Sequence, residues 1–299
     1  MEELRGFGGR FVKMEPLQKG FSSDKKYVAE TADGAMFLLR VANASAGSRR
    51  EREFDMMRKT AALGVPMPQP VEFGRCEDGQ SVYSLFSWCE GEDAEAVLPG
   101  LTEAEQYALG WQSGQFVRTI HSLPAPPELE DWEQRFGRKA RSKIEKYQAC
   151  GIRFDRDERI IGYLEENLHL LANRPQCYQH GDYHVGNMVI SREKELSIID
   201  FDRCDFGDPW EEFNRIVWCA AVSPHFATGQ LNGYFGGRPP ELFFRLLAFY
   251  IATNAVSSIP WAMPFGEEEV AVMLQQAGQV LAWFDNMDNP VPTWYLGEL

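Results

Sequence analysis

The 299-residue chain has the composition of an ordinary globular protein, with 44% hydrophobic and 25% charged residues and a net charge of −14. The charge is uneven, because residues 1–90 contain 13 basic and 13 acidic side chains whereas residues 91–299 contain 17 and 31. Nucleic acid is therefore not an expected partner, since a phosphate backbone requires a basic surface. A cationic substrate would be attracted, although net negative charge also serves solubility alone.

The sequence predicts a cytoplasmic protein without a membrane partner. Its N-terminus lacks a basic stretch followed by an apolar run, so we expect no secretory signal. The most apolar segment, 242–252, contains Arg245 and is shorter than the roughly 20 residues of a membrane span. The six cysteines are scattered without a CxxC pair, a pattern that favours reduced thiols over a disulfide framework or a zinc knuckle.

The first 90 residues predict a compact α+β unit. Strands are expected over residues 26–30, 36–41, 71–75 and 81–88. A Gly-containing turn at 31–34 would join the first two strands into a hairpin. A helix over 48–63 would separate the two strand pairs, with Phe54, Met57 and Ala61 at helical spacing.

The rest of the chain predicts mostly helices. They are expected over residues 102–123, 132–150 and 156–172, and from 210 to the end. A short β-like patch covers 178–202. We expect a hinge near 86–92 and hence two domains, 1–90 and 91–299.

The densest chemical signal is the segment 180–187, HGDYHVGN, followed by 198–202, IIDFD. Asn187 offers an amide oxygen and Asp200 a carboxylate, which are hard donors of the kind that Mg²⁺ prefers. The sequence therefore predicts that these two side chains hold a magnesium ion bound to phosphate oxygens.

Asp182 lies in the same segment, on a tight turn that Gly181 would allow. From such a turn it could face an acceptor hydroxyl while Asn187 faces the metal. A carboxylate with an ordinary pKa of about 3.9 cannot deprotonate a resting alcohol. Asp182 is therefore expected to orient the hydroxyl and to accept its proton late in the reaction.

These two motifs resemble the catalytic loop and the metal loop of the aminoglycoside phosphotransferase family, relatives of the protein kinases. The resemblance extends roughly from Lys19 to the last helices. It implies a two-lobed, protein-kinase-like α+β fold, with a nucleotide-binding lobe over 1–90 and a catalytic and acceptor-binding lobe over 91–299. It also implies that Asp182 is the catalytic base, that Asn187 and Asp200 bind Mg²⁺, and that ATP or GTP is the donor.

The resemblance further assigns a cation that would hold the triphosphate. Arg40 occupies the position where kinases usually have Lys, and a guanidinium can still contact phosphate. Glu53 is its expected partner on the following helix, with Glu51 as the alternative. An ordinary cation at the end of a strand is the other interpretation of Arg40.

Backbone groups complete the nucleotide site that the resemblance implies. The amides and hydroxyls around Ser22 and Ser23 would cradle the phosphates in a loop that departs from GxGxxG. Backbone groups of Ser87 and Cys89 would bind the purine edge.

The resemblance implies that the C-terminal helices form the acceptor side, and their charge leads us to expect a polyhydroxylated, amine-bearing cation there, such as an aminoglycoside or a smaller amino sugar. Residues 200–299 hold 13 acidic against 4 basic side chains. The candidate acceptor-binding residues are Asp182, Glu211, Glu267 and Glu268. A solvated helix face is the competing explanation for the run at 267–269.

Other functions stay open at this point. Choline, homoserine, methylthioribose and fructosamine kinases use similar folds, and only an antibiotic acceptor would make the chain a resistance enzyme. Arg40 and the glycine-poor loop would also fit a nucleotide-binding pseudokinase. The pair His180 and His184 could suggest a metal-dependent hydrolase, but the glycines at 181 and 186 argue against the helix that such a pair requires.

Overall fold

The computed structural model describes residues 7, 9–17 and 24–297. Ser22 and Ser23 lie outside the described residues. The chain divides into two compact units, one of residues 1–93 with 187–204 and the other of 94–186 with 205–299. The segment that contains both predicted metal ligands therefore groups with the N-terminal residues. The assignment of nucleotide binding to 1–90 and of catalysis to 91–299 stays a prediction.

The first unit contains a five-stranded antiparallel sheet in the order β1-β2-β3-β5-β4. Its strands are β1 (Lys13–Pro16), β2 (Lys25–Glu30), β3 (Met36–Asn43), β4 (Pro70–Cys76) and β5 (Ser81–Ser87). Sequence analysis predicted all of them except β1, a short and largely exposed edge strand that carries no apolar alternation. Helix α1 (Gly47–Ala61) buries Phe54 and Met57 as its spacing predicted.

Five shorter strands follow. They are β6 (Glu92–Asp93), β7 (Cys177–Gln179), β8 (Met188–Ile190), β9 (Leu196–Ile198) and β10 (Asp205–Gly207). Of these, β8 and β9 lie within the predicted β-like patch, β7 overlaps its start, and β6 and β10 lie outside it. In the first unit β8 pairs with both β6 and β9, and in the second unit β7 pairs with β10. Gly91 precedes β6 at φ +146°, where a Cβ atom would lie 2.7 Å from the carbonyl oxygen of Ile190. Glycine is therefore required at this end of the predicted hinge.

The second unit is helical, as predicted. Its helices are α2 (Ala94–Val97), α3 (Glu103–Ile120), α4 (Trp132–Ala149), α5 (Asp157–Asn167), α6 (Ile216–Val222), α7 (Pro224–Phe235), α8 (Glu241–Ala262) and α9 (Glu267–Trp283). The predicted capping box of α3 is present, since Thr102 and Glu105 each accept from the other's backbone N–H. The predicted helix over 156–172 instead ends at Asn167 and continues as a 3₁₀ turn, Leu168–Leu171.

Helix α8 is longer than the apolar segment 242–252 suggested. With the 3₁₀ turn that follows, it runs over Glu241–Phe265 and is long and apolar enough to cross a membrane. The estimate that this segment is too short was therefore wrong, because the helix continues through Pro260. Its most apolar window is 67% buried inside the protein, which is typical of the central helix of a packed core.

Candidate active site

The hairpin of β8 and β9 brings Asn187 and Asp200 to one end. Met188 pairs with Ile198, and the backbone N–H of Ile199 donates to the carbonyl oxygen of Asn187 over 2.9 Å. Asp200 follows directly, with a left-handed backbone at φ +63°. A non-glycine residue pays a steric cost in this conformation, so the surrounding structure must hold it there. The two predicted metal ligands thus flank the same hairpin end.

Two cations from the five-stranded sheet approach the carboxylates that follow β9. Lys26 on β2 and Arg40 on β3 are direct cross-strand partners, so their side chains lie on one face. The Nζ atom of Lys26 lies 3.6 Å from Oδ2 of Asp200 and 3.2 Å from Oδ2 of Asp202, while Arg40 contacts Asp202. The side chains of Lys26 and Arg40 are only 9% and 11% exposed. Sequence analysis missed Lys26, although the period of two along paired strands could have placed it beside Arg40.

The predicted pair of Arg40 with Glu53 is wrong. Arg40 Nη2 instead lies 3.1 Å from Oδ2 of Asp24, and Glu53 accepts from Arg50 over 2.5 Å. Arg50 lies one turn before Glu53 on α1 and also reaches Asp24, at 2.8 Å, so it binds both carboxylates itself. The alternative partner, Glu51, is exposed. Arg40 and Glu53 do line the same small cavity in the first unit.

The electrostatics of this hairpin end favour a divalent cation. Burial and the adjacent Asp202 carboxylate raise the pKa of Asp200. Burial acts in the same direction on Asp202, but Arg40 and Lys26 outweigh it and hold its pKa below the ordinary value. Two crowded carboxylates of this kind are stabilised by a metal ion.

The donor set also fits Mg²⁺ in particular. Among the described residues no group of three or more His, Cys, Asp or Glu side chains forms a metal cage. Mg²⁺ does not need one, because water and phosphate oxygens complete its octahedron around one or two protein ligands. Asn187 and Asp200 supply the hard oxygen donors that this coordination requires.

Asp182 lies in the second unit, on the turn that Gly181 forms at φ +80°. Its backbone N–H donates to Nδ1 of His180 over 3.3 Å. Its Oδ1 atom lies 2.6 Å from Nε of Arg215 and 3.7 Å from Nε2 of His184. The expected catalytic carboxylate is therefore held in an ion pair with Arg215, a residue that sequence analysis did not single out.

Glu212 fixes the loop that carries Asp182. Its carboxylate accepts the backbone N–H groups of His180, over 2.6 Å, and of Gly181, over 2.9 Å. Glu212 is 2% exposed, and Nε2 of His121 lies 3.5 Å from it. Two charge-assisted bonds to consecutive amides make this a strong anchor. The Glu212 carboxylate is one of the 13 acidic side chains in residues 200–299, but its hydrogen bonds are made to the loop.

His180 and Asp208 serve the structure around this loop. The His180 ring is fully buried and packs edge-on against Tyr183, at 5.6 Å between centroids, which does not suit a zinc ligand pair with His184. Asp208 binds Arg174 through two hydrogen bonds of 2.7 and 2.9 Å and accepts the backbone N–H of Trp210. Asp208 therefore fixes the turn that leads into the 3₁₀ segment Glu211–Arg215.

The acidic residues expected to bind an acceptor have other surroundings. Glu267 and Glu268 are exposed in the first turn of α9, where negative charge favours the helix dipole. Glu211 accepts from Gln179 over 3.3 Å, and burial raises its pKa against the opposing effect of Lys139 and Lys143. No ion pair or hydrogen bond within the described residues joins any of the three to Asp182.

The purine-binding prediction is partly restricted by the sheet. The backbone N–H of Ser87 already donates to the carbonyl oxygen of Gln69 over 2.9 Å, so Ser87 could offer a base only its carbonyl oxygen. Cys89 follows the end of β5, and burial raises the pKa of its thiol to about 11. That thiol is therefore not a nucleophile at neutral pH, and a backbone role for Cys89 stays a prediction.

Comparison with known proteins agrees with this architecture. The model of the phosphotransferase enzyme family, APH, matches residues 13–244. Acyl-CoA dehydrogenase family member 10 of Mus musculus is 26% identical over 243 residues, which are 75% of this chain. The chain spans only 22% of the length of that mouse protein.

Solved structures share the fold at low sequence identity. The gentamicin–APH(2″)-IIa complex is 18% identical with a TM-score of 0.64, covering 90% of this chain and 92% of that one. An aminoglycoside phosphotransferase APH(4)-Ia mutant with AMP-PNP and hygromycin B is 17% identical with a TM-score of 0.66, covering 92% and 95%. A choline/ethanolamine kinase family protein from Mesorhizobium loti is 14% identical with a TM-score of 0.66, covering 95% and 92%.

The family model covers most of the chain, and the related structures share its antiparallel N-terminal sheet and helical C-terminal part. The predicted two-lobed, kinase-like α+β fold is confirmed, and the chain belongs to the phosphotransferase enzyme family.

Proposed function

We propose that the chain is a kinase that transfers the γ-phosphoryl group of a Mg²⁺-bound nucleoside triphosphate to a hydroxyl of a small molecule. The observation that carries this proposal is the meeting of Lys26 and Arg40 with Asp200 and Asp202. Two largely buried cations and two partly buried carboxylates can both be satisfied by a metal–triphosphate complex. The carboxylates would then face the metal, and the cations would face the phosphate oxygens.

The roles of the individual residues follow from their chemistry. Mg²⁺, when bound, neutralises charge on the phosphate oxygens. Asn187 and Asp200 would hold it, while Lys26 and Arg40 would bind the triphosphate and restrain its orientation. Asp182 would orient the acceptor hydroxyl and accept its proton late in the transfer. Glu212 would keep that carboxylate in place through the loop amides.

Two classes of acceptor have support. An aminoglycoside-like, amine-bearing acceptor is supported by the net charge of −14 and by the gentamicin and hygromycin B in the related complexes. A metabolite kinase is supported by the likeness to the choline/ethanolamine kinase family protein. A cytoplasmic location and a role in antibiotic resistance stay predictions with them.

The experiment is a transfer assay with γ-labelled ATP or GTP, Mg²⁺ and a panel of hydroxylated small molecules. Asp182→Ala should reduce transfer by about a hundredfold or more, because the positioned proton acceptor is lost. Binding of the Mg²⁺–nucleotide complex should persist, because Asn187 and Asp200 are unchanged. Glu145→Ala, at an exposed position on α4, is the control that should transfer normally.

Two outcomes would contradict the proposal. Substantial transfer by a folded Asp182→Ala variant would remove Asp182 from the reaction. Nucleotide binding without turnover for any acceptor would instead favour a pseudokinase.

A further inference from the structure

We infer that Arg215 and Lys143 form an anion subsite beside Asp182, so that the acceptor carries a carboxylate or phosphate group as well as its hydroxyl. The inference deepens the proposed function and rests on it for the role of Asp182. All of the residues concerned belong to the second unit.

Arg215 has donors to spare. It ends the 3₁₀ segment Glu211–Arg215, and its Nε atom lies 2.6 Å from Oδ1 of Asp182. Its side chain is 31% exposed, and within the described part of the chain it makes no other ion pair or hydrogen bond. A guanidinium carries five N–H donors in a planar fork. The fork therefore keeps terminal N–H groups for a second anion next to the one it already holds.

Lys143 is a half-buried cation whose hydrogen-bond partner is neutral, and the carboxylate of Glu211 acts on it only from beyond ion-pair distance. Its Nζ atom donates to Oδ1 of Asn254 over 3.1 Å, and no carboxylate of the described residues lies within ion-pair distance of it. Burial and the neighbouring Lys139 lower its pKa to about 8, with Arg215 acting in the same direction. Lys143 is thus still largely protonated at neutral pH. A half-buried ammonium is costly without a counter-ion, and a bound anion would supply one.

An amide pair connects the two cations. Asn254 Nδ2 donates to Oδ1 of Asn214 over 2.6 Å, and Asn214 directly precedes Arg215. Lys143 on α4 is therefore tied through α8 to the segment that bears Arg215. Because the positive charge of Arg215 acts to lower the pKa of Lys143, an anion bound near both would relieve their repulsion.

The local charges do not favour an ammonium group at this place. Lys139, Lys143 and Arg215 offset the three carboxylates of Asp182, Glu211 and Glu212 in formal charge. Burial raises the pKa of Glu211, which weakens its negative charge, while Asp182 is paired with Arg215 and Glu212 accepts two backbone N–H groups. The net charge of the whole chain is negative, but this group of side chains has no excess of negative charge. The contact groups decide which acceptor is retained, because they act well inside a Debye length.

The test measures calorimetric binding of four matched sugars to the full chain without nucleotide: glucose, glucosamine, glucuronate and glucose 6-phosphate. At least one anionic sugar should bind about tenfold or more tightly than glucose, because a hydrogen bond to a charged group is among the stronger polar contacts. Glucosamine should bind no more tightly than glucose. Equal affinities, a preference for glucosamine, or no binding by either anionic sugar at millimolar concentration overturns the inference.

Matched variants locate the subsite. Lys143→Met keeps the length of the side chain and removes only a half-buried charge, so it should fold and should lose the anion preference. Lys146→Met removes an exposed cation one turn further along α4, and this variant should retain the anion preference. Equal losses in both variants would place the anion elsewhere. Since no nucleotide is present, failure here leaves phosphoryl transfer untouched, and that reaction is tested separately through Asp182→Ala.

Discussion

At the residue scale, the candidate chemistry depends on ion pairs between side chains that are partly or largely buried. Lys26 and Arg40 form ion pairs with Asp200 and Asp202, and Arg215 forms one with Asp182. A buried ion pair of this kind is weak evidence for stability, since desolvation offsets the attraction. Such pairs are better explained by ligand binding, in which each partner exchanges its protein contact for one to the substrate or the metal.

Asp200→Asn is expected to raise the stability of the ligand-free protein while weakening Mg²⁺-dependent nucleotide binding by at least about tenfold, or 1.4 kcal/mol. The pKa of Asp200 is raised in the folded state, so its ionised form destabilises the fold. The free energy of unfolding of the wild type therefore falls as pH rises through that pKa. Asparagine cannot ionise, so the variant does not undergo this loss. Thermal unfolding at neutral pH and calorimetric titration of Mg²⁺–ATP measure the two effects.

The wild type provides the internal control for this prediction. The stability advantage of the variant over the wild type should shrink or reverse sign as pH falls and Asp200 becomes protonated. A variant that is less stable at neutral pH and binds Mg²⁺–ATP normally would mean that Asp200 is neither strained by its neighbours nor a metal ligand.

The sequence was sufficient for residues whose chemistry lies in a short motif. Asp182, Asn187 and Asp200 could be identified because HGDYHVGN and IIDFD place them within 19 residues of one another. Glu212 and Arg215 could not, because their partners lie about 30 residues away and depend on how the second unit folds. The Arg40–Glu53 pair failed for a different reason: Arg50 lies three residues before Glu53 on α1, a spacing that the sequence already contains, and Arg40 pairs with Asp24 instead.

Glu212→Gln is expected to destabilise the protein by about 2 kcal/mol and to lower turnover, because a charged acceptor of two backbone N–H groups is lost. Glutamine keeps one oxygen acceptor, but its NH₂ group would face the second backbone N–H, and two donors cannot form a hydrogen bond with each other. Denaturant unfolding and steady-state rates measure the two effects. Glu268→Gln at an exposed site should change neither, and a Glu212→Gln protein as stable as wild type would exclude the anchor.

At the element scale, the loop that carries Asp182 is attached to a closely packed helix pair. Helices α3 and α7 meet backbone to backbone at four glycines, 110 and 114 on α3 and 229 and 233 on α7. Beside them Gln230 donates to Ser113, and the hydroxyl of Tyr183 donates to the carbonyl oxygen of Ser113 over 2.8 Å. Tyr183 directly follows Asp182. The position of the catalytic carboxylate therefore depends on this helix contact.

Gly114→Ala should destabilise the protein by about 2 kcal/mol or more, because the added methyl group forces apart two backbones. Its Cβ atom would lie 2.1 Å from the carbonyl oxygen of Gln230 and 2.5 Å from the backbone nitrogen of Tyr234. Gly278→Ala on α9 is the matched control, since nothing lies within 4 Å of its added carbon. That variant should be neutral or up to about 1 kcal/mol more stable. Equal effects in denaturant unfolding would contradict the close packing of α3 and α7.

At the scale of the whole molecule, the chain order and the compact units do not coincide. Local patterns predicted the helices, most of the strands and a division near residue 90, because these depend on nearby residues. They did not predict that 187–204 would join the N-terminal unit. That grouping depends on the pairing of β6 with β8 and on the hydrogen bond from the Ile198 N–H to the Pro66 carbonyl oxygen. Both contacts join residues that are about a hundred or more positions apart. Neither unit is a continuous stretch of chain.

This discontinuity leads to a prediction about fragments. A fragment of residues 1–93 lacks β8 and β9, so β6 is left without its partner and Pro66 without its donor. It should show no cooperative thermal transition alone, and co-expression with residues 94–299 should restore one, because 187–204 returns the missing strands. A matched fragment in which a glycine-rich linker joins 1–93 directly to 187–204 should regain part of that stability by itself. Circular dichroism melts and amide exchange of β3 and β5 measure the outcome. If the 1–93 fragment melts as cooperatively as the fragment that is linked to 187–204, the hairpin of β8 and β9 adds nothing to the fold of the first unit.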